Sequence, residues 1–299
     1  MSTQVITLHG HRISYQSAGS QGPVLLLLHG MAGSSQTWAP VLPALGAEHR
    51  VIALDLLGYG PSPNPRGYCS CGVFASLARD LLVALDIDSA TIVGHSLGGG
   101  IAMQFCYQYP ELCDRLVLVD AGGLGRDVNL ALRAVTLPGA EYVLPVLFNS
   151  YTRQAADKLA QVAAKLPLPA RPGLTQVVSG LSSLADRDAR TAFVHTLRGV
   201  LDVGGQRVGG ADKFYLVGDI PLLLVWGGRD SIIPAQHGRD AHAAVPGSRL
   251  EIFERSGHFP QVDEPERFSA VLRDFVATST APVDRSAWRA RLLAASRTD

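Results

Sequence analysis

No apolar run in this 299-residue sequence reaches the ~18–20 residues needed to cross a bilayer. Its first ten residues, Met1-Ser2-Thr3-Gln4-Val5-Ile6-Thr7-Leu8-His9-Gly10, lack the charged start and apolar core of a secretory signal. Net charge is missing too, since 26 basic residues balance 26 acidic ones. The basic residues are scattered, whereas a phosphate backbone calls for a concentrated basic face, so nucleic acid is not an expected partner. Cysteine is scarce, with four in the chain. Cys69-x-Cys71 lacks the two-residue spacer of redox and zinc sites. Cys106 and Cys113 add no such pair, and no histidine pair completes a ligand set. Free thiols and no metal are expected. No Gly-x-Gly-x-x-Gly follows the first apolar strand, so no dinucleotide cofactor is expected either. These absences point to a cytoplasmic protein without a membrane span.

What is present is a large supply of core. Hydrophobic residues make up 47% of the chain. Short continuous apolar runs lie at 24–28, 51–54, 91–93, 116–119, 222–226 and 250–253. Strands buried on both faces read this way. Between them run helical patterns near 35–46, 73–86, 98–109, 234–245 and 265–278. Such alternation predicts an α/β fold, a mostly parallel sheet with helices on both faces. Residues 4–17 read as an antiparallel hairpin at the sheet edge.

Region 123–213 breaks the rhythm. Its helical patterns fall near 127–136, 140–150, 152–165, 173–181 and 188–199, interrupted by prolines 138, 145, 167, 169 and 172. Its apolar residues, among them Leu130, Leu132, Tyr142, Leu144 and Val146, suit either an apolar substrate or packing onto the core. Residues 281–299 read as a loosely docked tail.

One turn carries chemistry. Gly94-His95-Ser96-Leu97-Gly98 sits between the apolar run Ala90-Thr91-Ile92-Val93 and a helical stretch that begins with glycines. A serine on such a strand-to-helix turn is lifted above the sheet edge, and flanking glycines spare a clash with neighbouring backbone. A nucleophilic serine needs a base, and the base needs an orienting carboxylate. Asp230 follows the strand at 222–226 through Gly227-Gly228-Arg229, and His258 follows the strand at 250–253 through Gly257. Parallel strands present their C-terminal ends at one edge, so Ser96, Asp230 and His258 are expected to converge. The backbone N–H of Leu97, at a helix start, suits stabilisation of an oxyanion. His95 reads as a structural neighbour of the serine. An imidazole base works only while neutral, so activity is expected to fall below about pH 6–7.

The sequence resembles the α/β-hydrolase family. The resemblance rests on Leu28-His29-Gly30-Met31-Ala32-Gly33-Ser34, Asp55-Leu56-Leu57-Gly58-Tyr59-Gly60-Pro61-Ser62, the Ser96 turn, Gly227-Gly228-Arg229-Asp230 and Gly257-His258. It covers roughly 23–122 and 214–278, and the order Ser…Asp…His agrees. It implies an eight-stranded sheet with an inserted helical cap. The core would then be 1–122 with 214–280, and the cap 123–213. It implies Met31 N–H as the second oxyanion donor, and Asp120 as the alternative position for the triad acid. The implied partner is a small-molecule ester, and the implied state a monomer or homodimer.

Serine at 96 differs from the aspartate of epoxide hydrolases and dehalogenases. Cofactor-free C–C bond hydrolases use serine, but typically carry Asn where His95 stands and Trp where Phe259 stands. Three readings besides ester hydrolysis stay open: C–C bond hydrolase, perhydrolase, and a small-molecule receptor on the same fold.

Overall fold

The computed structural model describes residues 2–64, 70–149, 151, 152, 154, 172–214 and 218–282, and ten strands lie among them. They are β1 (Ser2–Leu8), β2 (His11–Ala18), β3 (Val24–Leu28), β4 (Arg50–Leu54), β5 (Ala90–His95), β6 (Cys113–Val119), β7 (Leu201–Asp202), β8 (Gly205–Gln206), β9 (Leu222–Gly227) and β10 (Arg249–Phe253). Eight form one sheet in the order β1-β2-β4-β3-β5-β6-β9-β10. The first two pair antiparallel with each other, and β2 pairs antiparallel with β4. Every other neighbouring pair in that sheet is parallel. The remaining two, β7 and β8, form a separate ribbon.

The apolar runs explain the burial. Leu26, Leu28, Ile92, Leu116, Leu118 and Leu224 feed the core on one face of the sheet. Leu25, Leu27, Val93, Val117, Leu223 and Val225 feed the core on the other. Alternate side chains thus point to opposite faces, and both faces are covered. The edge strand β1 is mostly exposed, in keeping with a hairpin that faces water.

Helices follow the strands as the sequence predicts, with one revision. The helical pattern at 35–46 resolves into a 3-10 turn, Ser35–Trp38, and a short helix, α1, Leu42–Gly46. Pro40 and Pro43 offer no N–H, so a continuous helix would lack two of its bonds. Helix α2 spans Cys71–Ala84 and α3 spans Leu97–Gln108. Ser70 starts α2 by accepting a bond from Val73 N–H. The last helix, Pro265–Thr278, lies where its pattern predicts.

Between β6 and β7 the described helices are Leu130–Val135, Ala140–Leu147, Pro172–Ser183 and Arg187–Val200. All but residues 152 and 154 of the pattern at 152–165, and the tail beyond residue 282, fall outside the described residues. The apolar side chains of this region divide three ways. Leu144 is buried, Leu132 faces a cavity, and Leu130, Tyr142 and Val146 are more than 70% exposed. No described helix is long and apolar enough to cross a membrane.

Candidate active site

Ser96 stands between β5 and α3 at φ 54°, ψ −117°. Side chains rarely adopt this region, and holding one there costs ~1–3 kcal/mol. Three bonds impose it: Ser96 N–H donates to Val119 O at 3.0 Å, and Ser96 O accepts from Gly99 and Gly122 N–H, each at 2.9 Å. The flanking glycines are required by space. A Cβ on Gly94 would lie 2.1 Å from Gly98 O, and one on Gly98 would lie 2.2 Å from Leu28 O.

Asp230 lies in the turn after β9. Its Oδ1 accepts from Ile232 N–H at 2.7 Å and Ile233 N–H at 3.1 Å. Its Oδ2 lies 2.7 Å from His258 Nδ1. A carboxylate only accepts, so Nδ1 carries the proton and Nε2 is left as the basic nitrogen. Burial works against the charged form of Asp230. The charge of His258 and hydrogen bonds from His258 and Asp120 outweigh it, so the carboxyl stays below its ordinary range. The turns after β9 and β10 touch so closely that a Cβ on Gly227 would lie 1.8 Å from Gly257 O.

Four neighbouring strands, β5, β6, β9 and β10, thus deliver Ser96, Asp120, Asp230 and His258 to one edge. Ser96 and His258 face a cavity of about 610 Å³, a size suited to a small ligand. Met31 and Leu97 line the same cavity. Met31 sits in a turn closed by a bond from Gly33 N–H to Gly30 O at 3.1 Å. His29 braces that turn. Its Nδ1–H donates to Gly30 O at 2.7 Å and its Nε2 accepts from Leu56 N–H at 3.1 Å. Gly30 leaves room for the serine, since a Cβ there would lie 2.9 Å from Ser96 Cβ.

Asp120 is fully buried behind Asp230 and does not hold His258. Its Oδ1 accepts from Gly227 N–H at 2.9 Å. Burial, then the charge of Asp230 and a hydrogen bond with it, push its carboxyl well above the ordinary range. Asp120, Asp230 and His258 bring three metal-ligating atoms within 4.8 Å of one another. Two of those groups are already joined by the Asp230–His258 bond. Cys71, Cys106 and Cys113 are free thiols, and Cys69 lies outside the described residues.

Two supports escaped the sequence reading. His95 Nε2–H donates to His258 O at 2.6 Å, and its ring lies 4.8 Å from the His258 ring. Burial and the neighbouring His258 bring the His95 pKa down to about 3. Asp263 is the second support. Its Oδ2 accepts from Gly257 N–H at 3.0 Å, and its Oδ1 from Gly173 N–H at 2.8 Å. Nothing in the spacing of either residue marks these contacts.

Buried neutral histidines give a stability prediction. The pKa values of His95, His29 and His237 are all lowered, mainly by burial. The unfolded chain therefore takes up protons that the native state refuses. Stability is intact above about pH 6.5 and is lost as pH falls below it. Asp120, with its raised pKa, acts in the opposite sense. Three groups against one leave stability falling as pH drops from about 6.5 to about 5. Calorimetry should show Tm falling over that interval. A Tm that rises on acidification would contradict it.

Known proteins resemble this chain over most of its length. The sequence model of the alpha/beta hydrolase fold family matches residues 23–265. An uncharacterized protein of Mycobacterium tuberculosis is 44% identical over 292 residues, covering 97% of this chain and 85% of that protein. The 2-hydroxy-6-oxo-6-phenylhexa-2,4-dienoate hydrolase of Burkholderia cepacia is 27% identical, covering 90% of this chain and 93% of its own. Among solved structures, an esterase from Rhodococcus sp. superposes with a TM-score of 0.70 at 28% identity. That match covers 93% of this chain and 100% of the esterase.

Proposed function

The chain belongs to the alpha/beta hydrolase fold family, and we propose that it is a serine hydrolase cleaving a small, apolar carboxylic ester through an acyl-enzyme. The observation that carries this reading is a strained Ser96 facing the same cavity as an Asp230-held His258. His258 Nε2 takes the Ser96 proton as Oγ attacks the carbonyl carbon. The N–H groups of Met31 and Leu97 receive the oxyanion, and each such donor lowers the barrier by about 3–4 kcal/mol. The intermediate collapses, and His258 returns the proton to the departing alkoxide. Water then adds to the acyl carbon, giving a proton to His258, which passes it to the departing Ser96 Oγ as the acid is released. Asp230 holds the imidazole tautomer and stabilises its charged form.

Segment 123–213 serves as the cap over a core of 1–122 and 214–280. Gln176, Gly180, Leu181 and Phe193 from that segment line the cavity with Ser96. A covered site excludes water and limits substrate size.

The dienoate hydrolase relative favours a second reading, cleavage of a C–C bond by the same three residues. Two features weigh for esters. His95 and Phe259 stand where the family's C–C hydrolases typically carry Asn and Trp. The cavity is also lined by Asp186 and Asp188, whose charges repel a carboxylate such as a dienoate. Steady-state rates on p-nitrophenyl acetate, butyrate and octanoate, beside a 2-hydroxy-6-oxo-dienoate, separate the two. Turnover of an ester with a chain-length optimum is the expected result. Turnover of the dienoate alone would overturn it.

A further inference from the structure

A buried carboxyl behind the triad has no part in the steps above. Asp120 follows β6, the sheet neighbour of β9, at a positive φ of 42°. Its side chain is 0% exposed. One oxygen is engaged by Gly227 N–H. The other, Oδ2, is buried and receives a hydrogen bond from no other described group. Facing Asp120 is the carboxyl of Asp230, with a carboxylate oxygen of each within 4.8 Å of the other.

Two carboxylates cannot share a dry space while both are charged, because like charges there repel strongly and water is absent to screen them. One proton resolves the clash and makes a bond at once. The Asp230 carboxylate already serves His258 and two backbone N–H groups, all of which favour its charge. The proton therefore belongs on Asp120.

We propose that Asp120 is a neutral carboxylic acid that donates its proton in a hydrogen bond to Asp230, fixing that carboxylate against His258. It is a positioning residue, acting on the base through Asp230. The inference rests on the serine-hydrolase reading for its kinetic consequence alone. The chain of donors runs Asp120 O–H to Asp230, and His258 Nδ1–H to the same Asp230. Pinned from both sides, the carboxylate cannot swing away as the imidazole takes its charge.

The other titratable groups around the pair are His95, beside His258, and Asp263, beside Gly257. His237 also senses Asp230. None of these three is changed by the variants below.

The test uses Asp120→Asn and Asp120→Ala in the full chain. Asparagine keeps an acceptor for Gly227 N–H and presents an N–H donor to Asp230, so it imitates the neutral acid. Asp120→Asn should hold kcat on p-nitrophenyl butyrate within about threefold of wild type, with the pH profile unmoved. Asp120→Ala should lower kcat by about 10- to 100-fold at little change in KM, with its acid limb displaced. Equal losses in both variants would mean that a charged Asp120 is needed, and wild-type kcat in both would remove any positioning role. Either result overturns the proposal.

A readout without substrate stands apart from the esterase reading. An acid kept neutral in the native state costs stability as pH rises above the unfolded carboxyl range, and asparagine does not. The Tm of Asp120→Asn should exceed that of wild type at pH 8, by an amount that shrinks toward pH 4. Infrared difference spectra at pH 8 should show a protonated carboxyl band in wild type that the variant lacks. A missing band, or a Tm difference independent of pH, overturns the proposal even if every ester is turned over. If the band is present and no ester is turned over, the functional reading alone fails.

Discussion

Ser96→Gly should abolish ester turnover and raise the melting temperature together. Deleting the nucleophile of a triad lowers kcat by about 10⁴-fold or more, and the remainder comes from binding and the oxyanion donors. The stability gain has a separate origin. Ser96 is held at φ 54°, ψ −117° by bonds to Val119, Gly99 and Gly122 that glycine can also make. Relief of the strain is worth ~1–3 kcal/mol, less the ~0.5–1 kcal/mol that glycine loses in chain entropy. The net gain of up to ~2.5 kcal/mol, at ~2–4 °C per kcal/mol for a chain of this size, raises Tm by up to roughly 10 °C. Burst kinetics and calorimetry on one preparation read both effects. Turnover that survives would move the chemistry to another residue. A lower Tm would mean that the turn stores no strain.

The second large effect falls on a residue that touches no substrate. Gly98→Ala should destabilise the protein by about 3–5 kcal/mol, or roughly 10 °C in Tm, and cut kcat in whatever folds. The added methyl would sit 2.2 Å from Leu28 O and 2.7 Å from His29 O. Those carbonyls belong to the end of β3 and the loop after it, with β4 and β5 bonded on either side. The backbone of α3 must therefore back away, taking the Leu97 N–H with it. Gly209→Ala is the matched control, since its methyl would meet nothing within 4 Å. Thermal melts of the two variants should differ by the full amount. Similar melts would show that the first turn of α3 yields freely.

The candidate site residues were legible because each follows its own local signal. Ser96, Asp230 and His258 each end an apolar run beside glycine, and the parallel sheet brings run ends to one edge. The sheet itself was legible from the same runs. What escaped depends on strand order. Asp120 meets Asp230 because β6 lies beside β9, although more than a hundred residues separate them. No periodicity records that adjacency, so Asp120 reads from sequence as a rival of Asp230 rather than its partner. The His95 bond to the His258 carbonyl is hidden for the same reason. The break after Trp38 was written in Pro40 and Pro43, but apolar spacing masks it. The exposed Leu130, Tyr142 and Val146 show the limit of composition, which cannot assign an apolar residue to core, cavity or surface.

The grip of Asp263 has a mechanical consequence. One oxygen holds Gly257, next to His258, and the other holds Gly173, at the start of a helix that lines the cavity. Lifting that helix would break one bond of the carboxylate and remove the link between the helix and the loop of His258. The position of that helix and the seating of His258 are thereby tied to each other. The tie is a single side chain, six residues along the chain from Gly257 and ninety from Gly173.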